Sequence, residues 1–360
     1  MQLRKQMVYR VVLGELNVSS ASRLYGVSRN TVRLWLKRAQ RDSLSELDEI
    51  SRRPHRIPNA TDPELVAQVL AFKKERPTWG AKKIVEKLWP QDCPLSVRTV
   101  DRILARNGLV RPMEPPAEMT RFERLNANEL LQIDFKGLGS PALGYSPLSV
   151  LDDATRFCLA FEPLLNHQTQ TIYDALWDIF GEYGLPLAIL SDNEPCFADI
   201  HRYGPSRLEA KLWLLGIDTR HGRPSHPQTQ GKVERFHRTV NIELGPALRQ
   251  ADIEEARRVY AAFVHDYNFE RPHEAIGMKT PGHVYTPSTR KRPDIRPKHE
   301  PAEGALLRRV GCDGRFRYQL KLYRAGLGLK GEHVEFREEE GGLGVYYANR
   351  RFACLKDLEV

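Results

Sequence analysis

The chain has 360 residues, 41% of them hydrophobic, which is enough for roughly two to four domains with real cores. No apolar run approaches a membrane span, the N-terminus lacks the apolar block of a signal peptide, and the five cysteines have no zinc-ligand spacing. We therefore expect a cytoplasmic protein with reduced thiols and no membrane partner. The net charge of +9 lies wholly in residues 1–120, with 22 Lys or Arg against 13 Asp or Glu, since the remainder holds 33 of each. This asymmetry predicts a polyanionic partner, nucleic acid first.

Residues 1–42 are predicted to form a DNA-binding helix-turn-helix. One helix ends at Gly26, a tight turn follows, and Ser28 can cap a second, basic helix. The residues alone also allow a small helical bundle with a charged surface. If the second helix is a recognition helix, its outward side chains that contact DNA are Arg29, Asn30, Arg33 and Lys37.

A second helical unit is predicted over residues 61–110, between two linkers. Residues 43–60 are polar and basic with two prolines, and residues 111–124 are rich in proline. Ser96 can cap a helix that runs to Arg106, and apolar residues recur in it at helical spacing. We read this unit as a second helix-turn-helix, with Arg98, Thr99 and Arg102 facing DNA.

The pattern of predicted secondary structure changes at about residue 125. Strands come first, and strands and helices then alternate. This order predicts an α/β domain with a mixed sheet over residues 125–285. Residues 286–302 read as a basic linker. Residues 303–360 show short alternating strands with Gly-rich turns, typical of a small β-barrel or β-sandwich, and we expect the barrel. The predicted elements of the central domain are strand Leu130–Phe135, β-rich segment Ser146–Phe161, helix Thr169–Tyr183, strand Ala188–Ser191, helix Leu208–Leu215, strand Ile217–Arg220 and a helix at 252–269.

Three acids of this domain occupy places where the backbone can hold them rigidly. Asp134 lies inside the first apolar strand, Asp192 follows a later one, and Glu234 falls in the first turn of a helix with an apolar stripe. An ordinary surface pair of Glu234 with Arg238, four residues on, is the plain alternative. A carboxylate in a buried strand requires a partner, either a nearby cationic side chain or a metal ion. Acids that converge from separate elements suit Mg²⁺, and two such ions can drive an in-line phosphoryl displacement.

The motifs around these acids resemble a known family. QIDF at Asp134, LSDN at Asp192 and HPQTQGKVERFHRT at Glu234 resemble the DDE catalytic core of retroviral integrases and bacterial insertion-sequence transposases, which has a ribonuclease-H-like fold. The later segment YNFERPHEAIGMKTP resembles the one that follows the core in insertion-sequence transposases. The resemblance covers roughly residues 125–285. No His/Cys zinc module precedes the core, which separates the chain from retroviral integrases.

The resemblance implies a transposase that acts on double-stranded DNA. Asp134 would bridge two Mg²⁺ ions, for which Mn²⁺ can substitute, and Asp192 and Glu234 would each complete one ion's ligands. The enzyme would hydrolyse a phosphodiester at the end of its element and join the freed 3′-hydroxyl to target DNA, without a protein nucleophile. Two ends must be held together, so we expect a homo-oligomer on DNA. Near the acids, DNA contacts are expected from Asn193, Lys232, His237 and Arg238, with a structural or plain surface role as the alternative for each.

Two departures from the family pattern stand near the acids. Glu194 replaces a usual Gly after Asp192 and Asn193, and Asn241 stands where a Lys or Arg is frequent. An added carboxylate could disturb metal binding. A catalytically inactive, repurposed sequence-specific DNA-binding protein is therefore the main alternative. A ribonuclease-H-like nuclease without strand transfer is a third reading, although paired helix-turn-helix units would have no purpose in it.

Overall fold

A computed structural model describes residues 3–41, 47, 60–110, 123–137, 144–199, 203–222, 231–250, 252–340 and 342–360. The chain divides into two compact units, Met1–Asp62 and Pro63–Val360. Most of the predicted linkers 43–60 and 111–124, and the predicted turn at 226–230, lie outside the described residues. Within these ranges, no helix has the length and apolar character required to cross a bilayer.

The first unit is a three-helix domain. Its helices are α1 (Leu3–Val12), α2 (Val18–Leu24) and α3 (Arg29–Arg41). The turn before α3 contains Gly26 at φ +61°, a conformation that glycine adopts without strain. Ser28 Oγ accepts a hydrogen bond from the Thr31 amide at 3.0 Å and so caps α3. The predicted helix-turn-helix is confirmed.

The second helical unit begins the larger part of the chain. It consists of α4 (Pro63–Glu75), α5 (Ala81–Leu88) and α6 (Val97–Arg106). Ser96 caps α6 by accepting from the Thr99 amide at 3.2 Å, as the sequence predicts. These helices enclose a core around Trp79, which is 1% exposed.

The central domain is a five-stranded mixed sheet with helices on both faces, so the predicted ribonuclease-H-like architecture is confirmed. The sheet order is β3-β2-β1-β4-β5, with β1–β3 antiparallel and β4 and β5 parallel to β1. The strands are β1 (Leu131–Phe135), β2 (Ser146–Asp152), β3 (Cys158–Leu164), β4 (Ala188–Ser191) and β5 (Asp218–His221), and the helices are α7 (Thr169–Tyr183), α8 (Arg207–Leu214), α9 (Gly231–Glu243), α10 (Ile253–Phe269) and α11 (Pro281–Val284).

Alternation along β1 assigns its two faces. Leu131, Ile133 and Phe135 join the core that α7 and α8 cover. Gln132 and Asp134 point to the opposite face, against which α9 packs. The core on that side is formed by the predicted apolar stripe of α9 together with residues of β3 and α10, namely Val233, Phe236, Val240, Phe161, Tyr260 and Phe263.

The C-terminal module is an open sheet, so the predicted β-barrel is not confirmed. The four-stranded sheet has the order β11-β10-β9-β6, and β7 pairs only with β8 in a separate hairpin. An open sheet satisfies the same apolar alternation because its inner face packs on α8, with Ala210 and Trp213 in one cluster with Val345. The strands are β6 (Leu306–Arg309), β7 (Arg315–Tyr318), β8 (Lys321–Arg324), β9 (His333–Glu339), β10 (Gly342–Tyr347) and β11 (Arg350–Cys354).

The segment predicted as the basic linker 286–302 lies partly against the central domain. Arg290 NH1 donates to the Pro186 carbonyl at 2.6 Å, and its NH2 donates to the Gly216 carbonyl at 3.0 Å. Arg292 donates to the Trp177 carbonyl at 2.8 Å. Composition alone cannot distinguish such arginines, bound to backbone carbonyls, from those of a free basic linker.

A buried arginine joins the second helical unit to the end of α9. Arg271 is 5% exposed. Its NH1 donates to Glu243 Oε1 at 2.6 Å and to Thr78 Oγ1 at 2.8 Å, and the Thr78 hydroxyl also donates to Glu243. Arg76 and Asp266 form a second ion pair at 2.6 Å. These bonds fix the loop between α4 and α5 to the C-terminal turn of α9 and to α10.

We expect Glu243→Ala to lower the free energy of unfolding by about 3–5 kcal/mol, because it leaves the Arg271 guanidinium buried without its carboxylate. The matched control is Glu255→Ala, which removes the exposed ion pair with Arg258 and should cost less than about 1 kcal/mol. Urea unfolding followed by circular dichroism measures both. Equal losses in the two variants would contradict a structural role for the buried pair.

Candidate active site

The strand register brings Asp134 and Asp192 together. Leu131 pairs with Ile189 and Gln132 with Leu190 in the parallel ladder of β1 and β4. The same register, continued by two residues, sets Asp134 opposite Asp192. Neighbouring strands lie about 4.8 Å apart, and residues at matching positions point to the same face. Asp134 faces α9 through its contact with His237, and the charge of Asp192 acts on Asp134, so the two carboxylates lie near each other.

The first turn of α9 is clamped onto this edge, and Glu234 lies in that turn. The Val233 amide donates to Gln132 Oε1 at 3.4 Å, and Gln132 Nε2 donates to Asp153 Oδ1 at 2.7 Å. Lys232 Nζ lies 2.6 Å from Asp153 Oδ1, and Asp153 is fully buried. Glu234 is itself exposed. Its backbone is thus held firmly while its side chain remains open to solvent.

The environment of Asp134 is short of positive charge. Burial is the largest cause that raises the pKa of Asp134 to about 7, and the nearby negative charges of Asp192, Glu194 and Glu234 contribute in that order. The Asp134 side chain is still 19% exposed, so an ion can reach it. Four carboxylates that lie near one another form a site that suits a bound cation.

His237, one turn beyond Glu234, does not supply that charge. Its Nδ1 lies 3.6 Å from Asp134 Oδ2, and its Nε2 lies 2.6 Å from Ser149 Oγ. Burial, and then the charge of Lys136, lower the pKa of His237 to about 4, so the ring is neutral at physiological pH. Ser149 stands directly opposite Asp134 on β2. The contacts of His237 favour the structural role that the sequence left open over a phosphate contact.

The loop that carries Asp192 is held from both sides. The Glu194 amide donates to Asp192 Oδ1 at 2.9 Å, and Asn193 Nδ2 donates to the Gly222 carbonyl at 2.9 Å. His221 contacts the Asp192 carbonyl through Nδ1 at 3.1 Å and Glu209 Oε1 through Nε2 at 2.9 Å. Asn193 thus orients the loop.

The donor set fits hard divalent cations. Asp134, Asp192 and Glu234 offer carboxylate oxygens only, the ligands that Mg²⁺ and Mn²⁺ prefer. Among the described residues, the three acids do not form a group whose ligand atoms all lie within 4.8 Å of one another. Like charges repel one another, and a cation held between the carboxylates would offset that repulsion.

The predicted DNA-contacting residues fall into two groups. Lys232 is engaged with buried Asp153, the hydroxyl of Thr99 lies 3.0 Å from that of Ser96, and His237 contacts Ser149, so the polar atoms of these three residues have partners within the protein. The others have exposed side chains, including Asn193, whose amide nonetheless binds Gly222. These exposed residues are Arg29, Asn30, Arg33, Lys37, Arg98, Arg102, Asn193 and Arg238.

The polar residues that support the three acids were not identified from the sequence. Ser149 is a small polar residue in a buried strand, and its place beside Asp134 depends on the pairing of β1 with β2. Glu209 and His221 lie on separate elements that meet only in the folded sheet. Asp153 reads as part of a hairpin turn, although it is fully buried. The sequence pattern that could have indicated such residues is a single polar residue within an apolar stretch.

Comparison with family models agrees with this geometry. Residues 124–227 and 215–281 match two models that are each described as an integrase core domain. Residues 31–104 match a homeodomain-like domain. Residues 124–281, which form the mixed sheet and its helices, are therefore similar to integrase core domains.

The curated relatives are viral polyproteins. The Gag-Pol polyprotein of bovine immunodeficiency virus (strain R29) is 35% identical over 102 residues, 28% of this chain and 6% of that protein. The Pol polyprotein of radiation murine leukemia virus (strain Kaplan) is 33% identical over 115 residues, 31% of this chain and 19% of that protein. The Gag-Pol polyprotein of baboon endogenous virus (strain M7) is 29% identical over 129 residues, 36% of this chain and 7% of that protein. The chain thus spans less than a fifth of these relatives.

Solved structures include two integrase domains. The catalytic core domain of BIV integrase is 24% identical and covers 44% of this chain and 93% of that chain, with a TM-score of 0.34. The HTLV-2 integrase catalytic core domain in complex with magnesium is 16% identical and covers 45% of this chain and 99% of that chain, also with a TM-score of 0.34.

We expect metal-free Asp134→Asn to be more stable than the wild type at pH 7.5, by on the order of 1–3 kcal/mol. The folded pKa of about 7 exceeds the unfolded value of 3.8, so the unfolded chain loses this proton first. Stability of the wild type therefore falls between about pH 4 and pH 7, and the amide removes that loss.

Urea unfolding in the presence of a chelator, at pH 7.5 and pH 4.5, measures the difference. The gap between Asp134→Asn and wild type should shrink at the lower pH. Asp178→Asn, which replaces an exposed carboxylate on α7, is the matched control and should behave as wild type at both pH values. A variant less stable than wild type at pH 7.5 would show that the charge of Asp134 is already compensated.

Proposed function

We propose that the chain is the DNA transposase of an insertion sequence. It binds the ends of its element, hydrolyses a phosphodiester to free a 3′-hydroxyl, and joins that hydroxyl to target DNA. The convergence of Asp134, Asp192 and Glu234 at one edge of the integrase core, around a carboxyl whose pKa is raised to about 7, carries this proposal.

Asp134, Asp192 and Glu234 would hold two Mg²⁺ ions, or Mn²⁺ in their place. Such ions activate the attacking oxygen and stabilise the leaving oxygen of an in-line displacement. The carboxylate of Asp134 interacts electrostatically with those of both Asp192 and Glu234. Asp192 is oriented by its bonded loop and Glu234 by the clamp at the start of α9. Water and then the 3′-hydroxyl serve as nucleophiles, so no side chain forms a covalent intermediate.

DNA recognition belongs to the helical units in this proposal. The net positive charge lies within residues 1–120. Arg29, Asn30, Arg33 and Lys37 form an exposed polar and basic face on α3, and Arg98 and Arg102 are exposed on α6. Both ends of an element must be processed together, and we therefore propose that the protein acts as a homo-oligomer on DNA.

One observation favours a second candidate function, a repurposed DNA-binding protein without catalysis. Glu194 occupies the position after Asn193 where the family usually has Gly. Its charge raises the pKa of Asp134, second among the neighbouring acids only to Asp192. A fourth carboxylate at this point would compete for the cations or misplace them.

The catalytic test uses purified protein and DNA duplexes from both flanks of its own gene. We expect 3′-end nicks and joined products in Mg²⁺ or Mn²⁺. Asp134→Asn and Glu234→Gln should lower both by a factor on the order of 10²–10³ or more while duplex binding persists, because each removes a metal ligand. Glu255→Gln, on the exposed side of α10, is the control and should retain activity.

The possible outcomes separate the two candidate functions. Full activity in Glu234→Gln would remove this residue from the site. Tight, specific binding without cleavage in either metal would support the repurposed DNA-binding protein. Recovery of cleavage in Glu194→Gly would then assign the loss to the added carboxylate.

Binding to DNA should weaken steeply with salt, because phosphate contacts release counterions. We expect Lys37→Ala to lower the slope of log K against log salt by about 0.9, the contribution of one phosphate contact. Lys74→Ala, which removes an exposed lysine of α4, is the matched control. Fluorescence anisotropy over a salt series measures both, and a flat response in the wild type would contradict a large basic footprint.

A further inference from the structure

A second group of metal-ligating side chains lies beside the Asp192 loop. His167, Glu194 and Cys196 each present one ligand atom, and these atoms all lie within 4.8 Å of one another. His167 Nδ1 is 3.8 Å from Glu194 Oε2, and Cys196 Sγ is 3.7 Å from the same oxygen. Among the described residues, it is the one group of three or more His, Cys, Asp or Glu side chains whose ligand atoms lie this close together.

These separations suit tetrahedral coordination. Bonds of about 2.0–2.1 Å to nitrogen and oxygen and about 2.3 Å to sulfur place tetrahedral ligands roughly 3.3–3.6 Å apart. The two distances to Glu194 Oε2, 3.7 and 3.8 Å, need shifts of only a few tenths of an ångström, and the ligand atoms of His167 and Cys196 lie within 4.8 Å of each other. A thiolate and an imidazole favour zinc-like cations over Mg²⁺, whereas the three-acid site offers oxygen alone.

The local structure holds the three side chains in place. The His167 ring stacks on Phe135, with centroids 3.8 Å apart and planes 7° apart. The Glu194 amide is bonded to Asp192, and the Glu194 carbonyl accepts from the Phe197 amide at 2.9 Å, so a tight turn fixes Glu194 and Cys196. The side chains of His167 and Glu194 are 42% and 43% exposed, which leaves room for an ion and a water molecule.

We propose that His167, Glu194 and Cys196 bind one thiophilic divalent cation of the zinc class, with water as the fourth ligand. Cys196 loses its thiol proton to solvent as the sulfur–metal bond forms. The bound cation neutralises Glu194, which otherwise adds negative charge beside Asp134. The ligand set of this site contains none of the three acids, and the site does not depend on the proposed transposase function.

The test titrates the metal-free full chain with Cd²⁺ alone and follows the thiolate-to-cadmium charge-transfer absorbance. We expect one equivalent to produce the band in wild type. Cys196→Ser should abolish it, and His167→Ala should weaken Cd²⁺ binding at least about tenfold, since one of three protein ligands is lost. Cys312→Ser, at an exposed cysteine of the C-terminal module, and Asp134→Asn should both leave the band and its midpoint unchanged. Competition by Zn²⁺ then gives its affinity.

Three results would overturn the proposal. They are absence of the band in wild type, persistence of the band in Cys196→Ser, and an unchanged midpoint in His167→Ala. A band lost in Asp134→Asn with Cys196 intact would place the ion at the three-acid site and also count against it. The readout is absorbance, so failure of DNA cleavage leaves this test unaffected.

Discussion

The buried ion pair between Lys232 and Asp153 is the contact on which the site geometry depends. The backbone amides in the first turn of a helix have no acceptor within the helix. At the start of α9, the side chain of Gln132 on β1 accepts from the Val233 amide and also donates to Asp153, which pairs with Lys232. The helix start, the central strand and the turn after β2 are thereby tied together in the interior. Glu234 follows directly, so an exposed carboxylate gains a defined position from its buried neighbours. Breaking the pair would leave a charge buried alone, which is far costlier than losing a surface contact.

The sequence predicts the backbone of this site better than its polar support. Short apolar strands that each carry or precede one acid predicted β1 and β4, and an apolar stripe predicted α9 with Glu234 in its first turn. These signals are local, because side-chain periodicity follows from the geometry of one element. Ser149 and His221 support the acids through partners on other elements, and such pairs depend on strand register and crossover. Alternation likewise predicted strands in residues 303–360 without deciding whether their sheet closes.

Charge around the three acids is arranged asymmetrically. The His237 ring, whose Nδ1 lies 3.6 Å from Asp134 Oδ2, is neutral and does not compensate the charge of the carboxylate. Glu194 adds to this deficit from one side, yet its carboxylate also contacts His167 and Cys196. The residue that departs most from the family pattern is therefore shared between two ligand environments. The effect of Glu194 on the pKa of Asp134 therefore depends on whether its carboxylate interacts with Asp134 or with His167 and Cys196.

Helix α9 connects two features at its opposite ends. Its first turn carries Glu234, and its last residue, Glu243, binds Arg271 and Thr78 beside the second helical unit. Its 13 residues span about 20 Å at 1.5 Å per residue. Under the proposed function, a duplex held by α6 would meet the carboxylates at a distance that the length of α9 helps to set. One residue inserted into α9 would lengthen the helix by about 1.5 Å and rotate its ends by roughly 100° relative to each other, and so would change the placement of Glu234 relative to the second helical unit.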